Sequence, residues 1–239
     1  MSVLNYIVPL LLIISIVILS VRSRKLTLPA AITGGVIAWL IFTAAGYTGI
    51  AMLGAFFILG TVATSWKKQE KLKFKAAEDR SSQRTMGQVL ANGGVAGIMG
   101  LLILLLPMKA ELLKLMMAAS LASATADTLS SELGMIYGRR FFNMITLKKE
   151  EKGLDGVISL EGTMIGVMGS SMIAVVYCLG FGWSVTIFLL IVLAGTIGNL
   201  ADSVLGALLE RKRYLSNNQV NFLNTFIAAL VAWLFITIY

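Results

Sequence analysis

The stretch ATADTLSSEL, residues 124–133, sets two carboxylates, Asp127 and Glu132, among four hydroxyls, Thr125, Thr128, Ser130 and Ser131, inside a run that otherwise has the character of a membrane helix. A second run, GTIGNLADSVLGALLE, carries Asp202 with Asn199 before it and Ser203 directly after. A carboxylate near the middle of a bilayer costs on the order of 3 kcal/mol on insertion scales, so such a residue is kept for a task or relieved by a partner. No intramembrane Lys or Arg is available to pair with Asp127 or Asp202. If the two acids face one another they repel, unless a cation lies between them or one of them holds a proton. Mg²⁺ suits the pair best, because it takes one or two carboxylates together with waters and substrate phosphate oxygens. A proton or Na⁺ site is the alternative.

Helical spacing puts Ser120, Ser123 or Ala124, Asp127, Ser130 or Ser131 and Gly134 on one face. Glu132, five residues beyond Asp127, falls about 140° around the same helix and is not expected to stack on it. Gly195, Asn199, Asp202 and Gly206 form the matching stripe of the second run. The segments ADTLSSELG and ADSVLGALLE look like copies of one element, and ITGGVIA, ANGGVAG and LEGTMIG begin three other spans alike, which is consistent with an internal repeat of helical hairpins. Close packing of membrane helices explains the glycines and hydroxyls equally well, but not the acids.

Phosphate chemistry would need cations and closely approaching amides. Lys148, Lys149 and Lys152 lead into a glycine-rich segment with Gly153, Gly156, Gly162 and Gly166, interleaved with Ser159 and Thr163. Arg80, Arg84, Gln88 and Asn92 precede or open another span, and Asn217 or Asn218, Asn221 and Asn224 or Thr225 lie along one face at the start of the last. Amides at that depth suit a head group, a nucleoside or another helix.

The elements that must position these residues are membrane helices. Of the 239 residues 57% are hydrophobic and only 13% charged, with a mean hydropathy of +0.85, far from the balance of a soluble domain. Apolar runs at about 4–21, 29–45, 49–66, 88–106, 112–137, 160–180, 184–209 and 220–238 predict an all-α polytopic bundle of about eight transmembrane helices. The chain is expected to form a single membrane domain over 1–239. Its first run, with no basic residue before it and Arg22, Arg24 and Lys25 directly after, is expected to be a retained span rather than a signal peptide. All of the 20 Lys and Arg residues except Lys109 and Lys114 fall after spans one, three, five and seven. Cytoplasmic loops are therefore expected at about 67–87, 138–159 and 210–219, with the amino end outside the cell's inner (plasma) membrane. The net charge of +8 is then topological and calls for no nucleic acid; Lys67–Lys75, beside Trp66, would be solvated or lie on anionic lipid. The absence of histidine removes imidazole acid–base work and the usual zinc sites, and the single cysteine, Cys178, excludes an internal disulfide.

The blocks QVLANGG, ADTLSSELG, ITLKKEEKGLDGVISLEGT and GNLADSVLGALLE followed by NNQVNFLNT resemble the membrane family that includes plant phytyl-phosphate kinase and the animal transmembrane protein nineteen. The wider pattern is similar to CTP-using membrane enzymes, namely dolichol and phytol kinases and phosphatidate cytidylyltransferases. Leu154 and Val157 stand where that loop is expected to carry a hydroxyl and a glycine. The resemblance implies a kinase that converts an isoprenyl monophosphate to the diphosphate with CTP or ATP. Carried over by that resemblance, Asp127 and Asp202 would hold Mg²⁺, Lys148 and Lys149 would act as catalytic cations, and Glu132, Gly162, Thr163 and Asn221 would bind nucleotide and substrate; the spacing of the polar residues adds Ser131, Arg84, Gln88, Asn92, Gly156, Ser159, Asn199 and Asn218 to the binding set. The tail would enter sideways from the lipid. Two rivals remain: cytidylyl transfer to a lipid phosphate, and a cation-coupled transporter, for which mid-depth acids on matched helices would also serve.

Overall fold

The computed structural model describes residues 4–73 and 83–238. The chain folds as helices α1 (Leu4–Arg22), α2 (Leu28–Ser65), α3 (Lys68–Lys71), α4 (Met86–Leu105), α5 (Ala110–Tyr137), α6 (Leu160–Phe181), α7 (Val185–Leu205) and α8 (Asn217–Ile238). A two-stranded hairpin, β1 (Phe141–Asn143) with β2 (Val157–Ser159), interrupts the otherwise helical order. All eight apolar runs of the sequence fall on helix, and α2, α4, α6, α7 with its extension to Glu210, and α8 are each long and apolar enough to cross a membrane.

Two of the runs, 29–45 and 49–66, lie on α2. A straight helix of its 38 residues would be roughly 57 Å long. Instead the chain reverses at Gly46 (φ 62°, ψ −151°), a backbone state open to glycine and strained for other residues. Lys25, just before the helix, then donates from Nζ to Ser65 Oγ at its far end (3.0 Å), so α2 is itself a hairpin with two antiparallel arms.

Helix α5 is central, packing on α2, α4, α6, α7 and α8. It is less hydrophobic than its neighbours because of its serines, threonines and acids, yet Leu115 through Ala126 are almost wholly buried. Small residues permit this. A Cβ on Gly198 of α7 would fall 2.8 Å from the Asn224 carbonyl oxygen, and one on Gly134 would come within 3.0 Å of the Gly162 backbone in α6. In a membrane bundle, such close approach supplies the van der Waals contact that the hydrophobic effect supplies in water.

The basic, polar ends of the helices gather at one end of the bundle. Thr85 and Gln88 form a reciprocal capping box at the start of α4, and Ser159 caps α6 by accepting from Gly162 N–H (3.1 Å). Segment 138–159, expected as loop, is held as the β1–β2 hairpin by main-chain pairing of Phe141 with Ser159 and Asn143 with Val157. After Asp202, α7 loosens into a π-helical turn over Gly206–Glu210, and Gly156 rests against it. Arg211 fixes this seam, donating from Nε to the Asp155 carbonyl (2.6 Å) and from Nη2 to Glu150 Oε2 (2.6 Å).

The hydrogen bond from Arg211 holds the Glu150 carboxyl below its ordinary range, against the opposing effect of desolvation; a bond from Asn143 adds to the lowering. A depressed carboxylate stabilises the fold above the ordinary pKa of 4.5 and loses that contribution as pH falls below it. Hydrogen exchange over Asp155–Val157, corrected for intrinsic rate, should therefore accelerate below that pH, and Glu150→Gln should show the faster exchange at neutral pH too. At Gly156 (φ 69°) a Cβ would lie 2.5 Å from the Ser203 carbonyl oxygen. Gly156→Ala should cost about 1–3 kcal/mol in detergent unfolding, whereas Gly54→Ala, with nothing within 4 Å, should cost none.

Candidate functional site

A cleft of about 410 Å³ opens at this polar end, walled by the end of α2, the starts of α4, α6 and α8, the lower part of α5, the segment before β2, and α7 with its π-helical turn. Its deepest acids are Asp127 of α5 and Asp202 of α7, whose carboxyl groups come within hydrogen-bonding reach of each other. Asp202 is held from a third helix: Asn224 Nδ2 in α8 donates to Asp202 Oδ1 (2.7 Å), and Ser123 Oγ in α5 donates to Asn224 Oδ1 (3.1 Å). A second tie joins α5 to α7, from Ser130 Oγ to Asn199 Oδ1 (3.0 Å). Gly166 makes room for that amide, since a Cβ there would fall 2.7 Å from Asn199 Nδ2.

Asp127, Asp202, Glu132, Ser131, Arg84, Gln88, Asn92, Gly156, Ser159, Gly162, Thr163, Asn199 and Asn221 all line the cleft. Several also have a structural task, Gln88 and Ser159 as helix caps and Gly162 in the α5–α6 crossing. The structure does not bring Lys148 and Lys149 to the cleft. Both are exposed on the outer limb of the segment, where Leu147 is left-handed (φ 54°) and Lys149 bridges to Phe142 on the edge away from β2. Asn218 also faces away and abuts Gly87; Asn217 is the asparagine that enters the cleft. Arg80 lies outside the described residues.

Spacing on single helices did not reveal Asp155 and Glu210, which reach the cleft from the hairpin segment and the π-helical turn. Lys71 also departs from expectation. Rather than lying in a solvated or lipid-bound loop, its side chain is buried and forms an ion pair with Glu132 while donating to the Ala63 (2.7 Å) and Thr64 (3.0 Å) carbonyls at the end of α2. Glu132, about 140° from Asp127, still borders the cleft and adds to its negative field, but its carboxylate is directed to Lys71.

Among the described residues, Arg84 is the only Lys or Arg lining the cleft. Its backbone is pinned by Arg84 N–H to the Lys25 carbonyl (2.9 Å) and Thr27 N–H to the Arg84 carbonyl (3.1 Å). The guanidinium lies 5.6 Å from the Phe56 ring centroid and against Gly60. Burial pushes its pKa below the ordinary value and Glu132 pulls the other way, leaving a fixed cation beside an acidic pocket. Among the described residues, no group of three or more acids, cysteines or histidines converges as a metal cage. The facing pair Asp127 and Asp202, open to solvent and a ligand, fits an ion that takes two carboxylates and completes its shell with water and phosphate oxygens. Asn92 Oδ1, buried with no hydrogen-bond partner among the described residues while its Nδ2 donates to the Gln88 carbonyl (3.0 Å), leaves an acceptor in the α4 wall.

Comparison with known proteins places this chain in a family. The chain is 32% identical over 224 residues to "Uncharacterized membrane protein MJ0933" of Methanocaldococcus jannaschii, covering 94% of this chain and 91% of that protein. It is 34% identical over 203 residues to "Uncharacterized membrane protein sll0875" of Synechocystis (83% and 76% covered). It is also 31% identical over 209 residues to "Protein VTE6, chloroplastic" of Arabidopsis thaliana (85% and 62% covered). No solved structure matches. The profile described as "Integral membrane protein DUF92" matches residues 11–229, so this all-α, polytopic chain belongs to the DUF92 integral membrane family.

Proposed function

We propose that the cleft transfers the terminal phosphoryl group of CTP or ATP to an isoprenyl monophosphate, yielding the diphosphate at the cytoplasmic membrane surface. The observation that carries this reading is the Asp127–Asp202 pair lining one polar cleft together with Arg84 at the end of an apolar bundle. The resemblance of the sequence blocks to phytyl-phosphate kinases supplies the reaction class.

In this reading Asp127 and Asp202 hold Mg²⁺, which when bound would neutralise charge on the nucleotide phosphates. Asn224 and Ser123 orient Asp202 for that task. Arg84, rather than Lys148 and Lys149, stabilises the charge that develops on the transferred group. Its pinned backbone and stacked guanidinium need no reorganisation, which is the condition for effective electrostatic catalysis. The acceptor monophosphate brings an ionised oxygen as nucleophile: its P–O bond forms as the bond to the departing nucleoside diphosphate breaks. No side chain has to remove a proton from it. A site without histidine is sufficient for this reaction, which depends mainly on positioning and electrostatics.

The test is label transfer from γ-labelled CTP or ATP to geranylgeranyl or phytyl monophosphate by purified protein with Mg²⁺. Label should appear in the lipid diphosphate. Asp127→Asn and Arg84→Gln should each reduce turnover about 100-fold or more, while the double substitution of Lys148 and Lys149 by Ala should reduce it less than about threefold, as expected for exposed charges. Label released as pyrophosphate would replace this reading with cytidylyl transfer, and folded protein that transfers nothing would favour transport.

A further inference from the structure

A second depression, of about 370 Å³, lies between α4 and α8 on the outer side of the wall these helices give to the cleft. Leu90, Ala91, Leu215, Phe222 and Leu223 line it beside Asn218 and Gln219, so its exposed surface is mainly hydrocarbon. Leu90 is 40% exposed, which opens the groove outward, away from the bundle core. We propose that this groove binds the hydrocarbon tail of the lipid phosphate whose head group reacts in the cleft, an assignment that rests on the phosphoryl-transfer reading above.

Continuity of the two surfaces supports this occupant. On α4, Gln88 and Asn92 face the cleft while Gly87, Leu90 and Ala91 face the groove. On α8, Asn217 and Asn221 face the cleft while Asn218 and Phe222, each one residue or about 100° further round, face the groove. The same two helix turns therefore present Gln88, Asn92, Asn217 and Asn221 to the cleft and a mainly hydrocarbon surface to the groove, where Asn218 and Gln219 are the only amides among the described residues. That polarity matches a molecule with a phosphate at one end and an apolar chain at the other. A tail in the groove leaves its head group beside Gln88, Asn92 and Asn221, on the side of α4 and α8 that faces the acid pair.

Contacts between the helices close the wall that separates the two surfaces. Asn218 occupies the space a side chain on Gly87 would need, with a Cβ there falling 2.6 Å from Asn218 Nδ2. Four residues further along α4, Thr225 Oγ1 donates to the Ala91 carbonyl (3.5 Å). Both surfaces reach the starts of these helices, where Gly87, Leu215 and Asn218 line the groove and Thr85 and Asn217 the cleft.

The test is photocrosslinking of the full-length protein in detergent micelles with a C20 prenyl monophosphate bearing a diazirine near the phosphate end of the chain. Adducts should map to the segments containing Leu90 and Phe222–Leu223, and excess geranylgeranyl monophosphate, but not geranylgeraniol, should abolish them. Adducts on other helices, adducts that the monophosphate does not compete, or no adducts would overturn the proposal; uncompeted adducts would make the groove a contact for bulk lipid only. In the transfer assay, Leu90→Trp and Leu223→Trp should lower the ratio of C20 to C5 acceptor turnover about tenfold, with Leu104→Trp on outer α4 as the control. Competed adducts without product would refute the kinase reading and keep the groove. Product with an unchanged chain-length ratio would do the reverse.

Discussion

Two carboxylates inside a bundle of apolar helices are the constraint around which this molecule is arranged. A charged group at that depth requires hydrogen bonds, an opposite charge or a water-filled opening, and the structure supplies each in a different measure. Asp202 is tied to Asn224 and through it to Ser123, so three helices are fixed by one acid. Asp127 faces Asp202 with no cation of the described residues between them, on the wall of an open cleft. The glycines of α6 and α7 follow from the same constraint, because these short side-chain bonds require backbones to approach closely.

Among the described residues, the main cations near this end are engaged elsewhere and do not quench this pair. Lys71 is spent on Glu132 and the carbonyls that end α2, closing the end of the α2 hairpin onto α5. Arg211 is spent on Glu150 and the Asp155 carbonyl, locking the β hairpin to the π-helical turn. Arg84 alone among the described cations lines the cleft, held by main-chain bonds to the strand-like segment before α2. A strongly acidic pocket with one fixed cation is suited to a metal-bound polyphosphate: the acids take the metal and the guanidinium takes the anion.

Periodicity and composition made the eight apolar runs and both aspartates visible, because membrane length and a misplaced acid are local signals. Residues on helix faces were legible for the same reason, as Gln88, Asn92, Asn199 and Asn221 illustrate. What the chain alone did not disclose depends on how a segment folds back. Lys71 and Lys148 look alike in a basic loop, yet one is buried against α5 and the other is left outside by the left-handed turn at Leu147. Asp155 and Glu210 meet the cleft only because Gly156 lets the hairpin settle on a π-helical turn that no period predicts. The kink at Gly46, by contrast, had a visible signal in the break between two apolar runs.

The central claim is that Asp127 and Asp202 together hold a divalent cation on a nucleotide. Its most direct measurement is an electron paramagnetic resonance titration with Mn²⁺ as the probe, in detergent, with and without CTP or ATP. The account predicts a saturable site that tightens with nucleotide and is lost in both Asp127→Asn and Asp202→Asn. Equal Mn²⁺ binding by the wild type and both variants would contradict it.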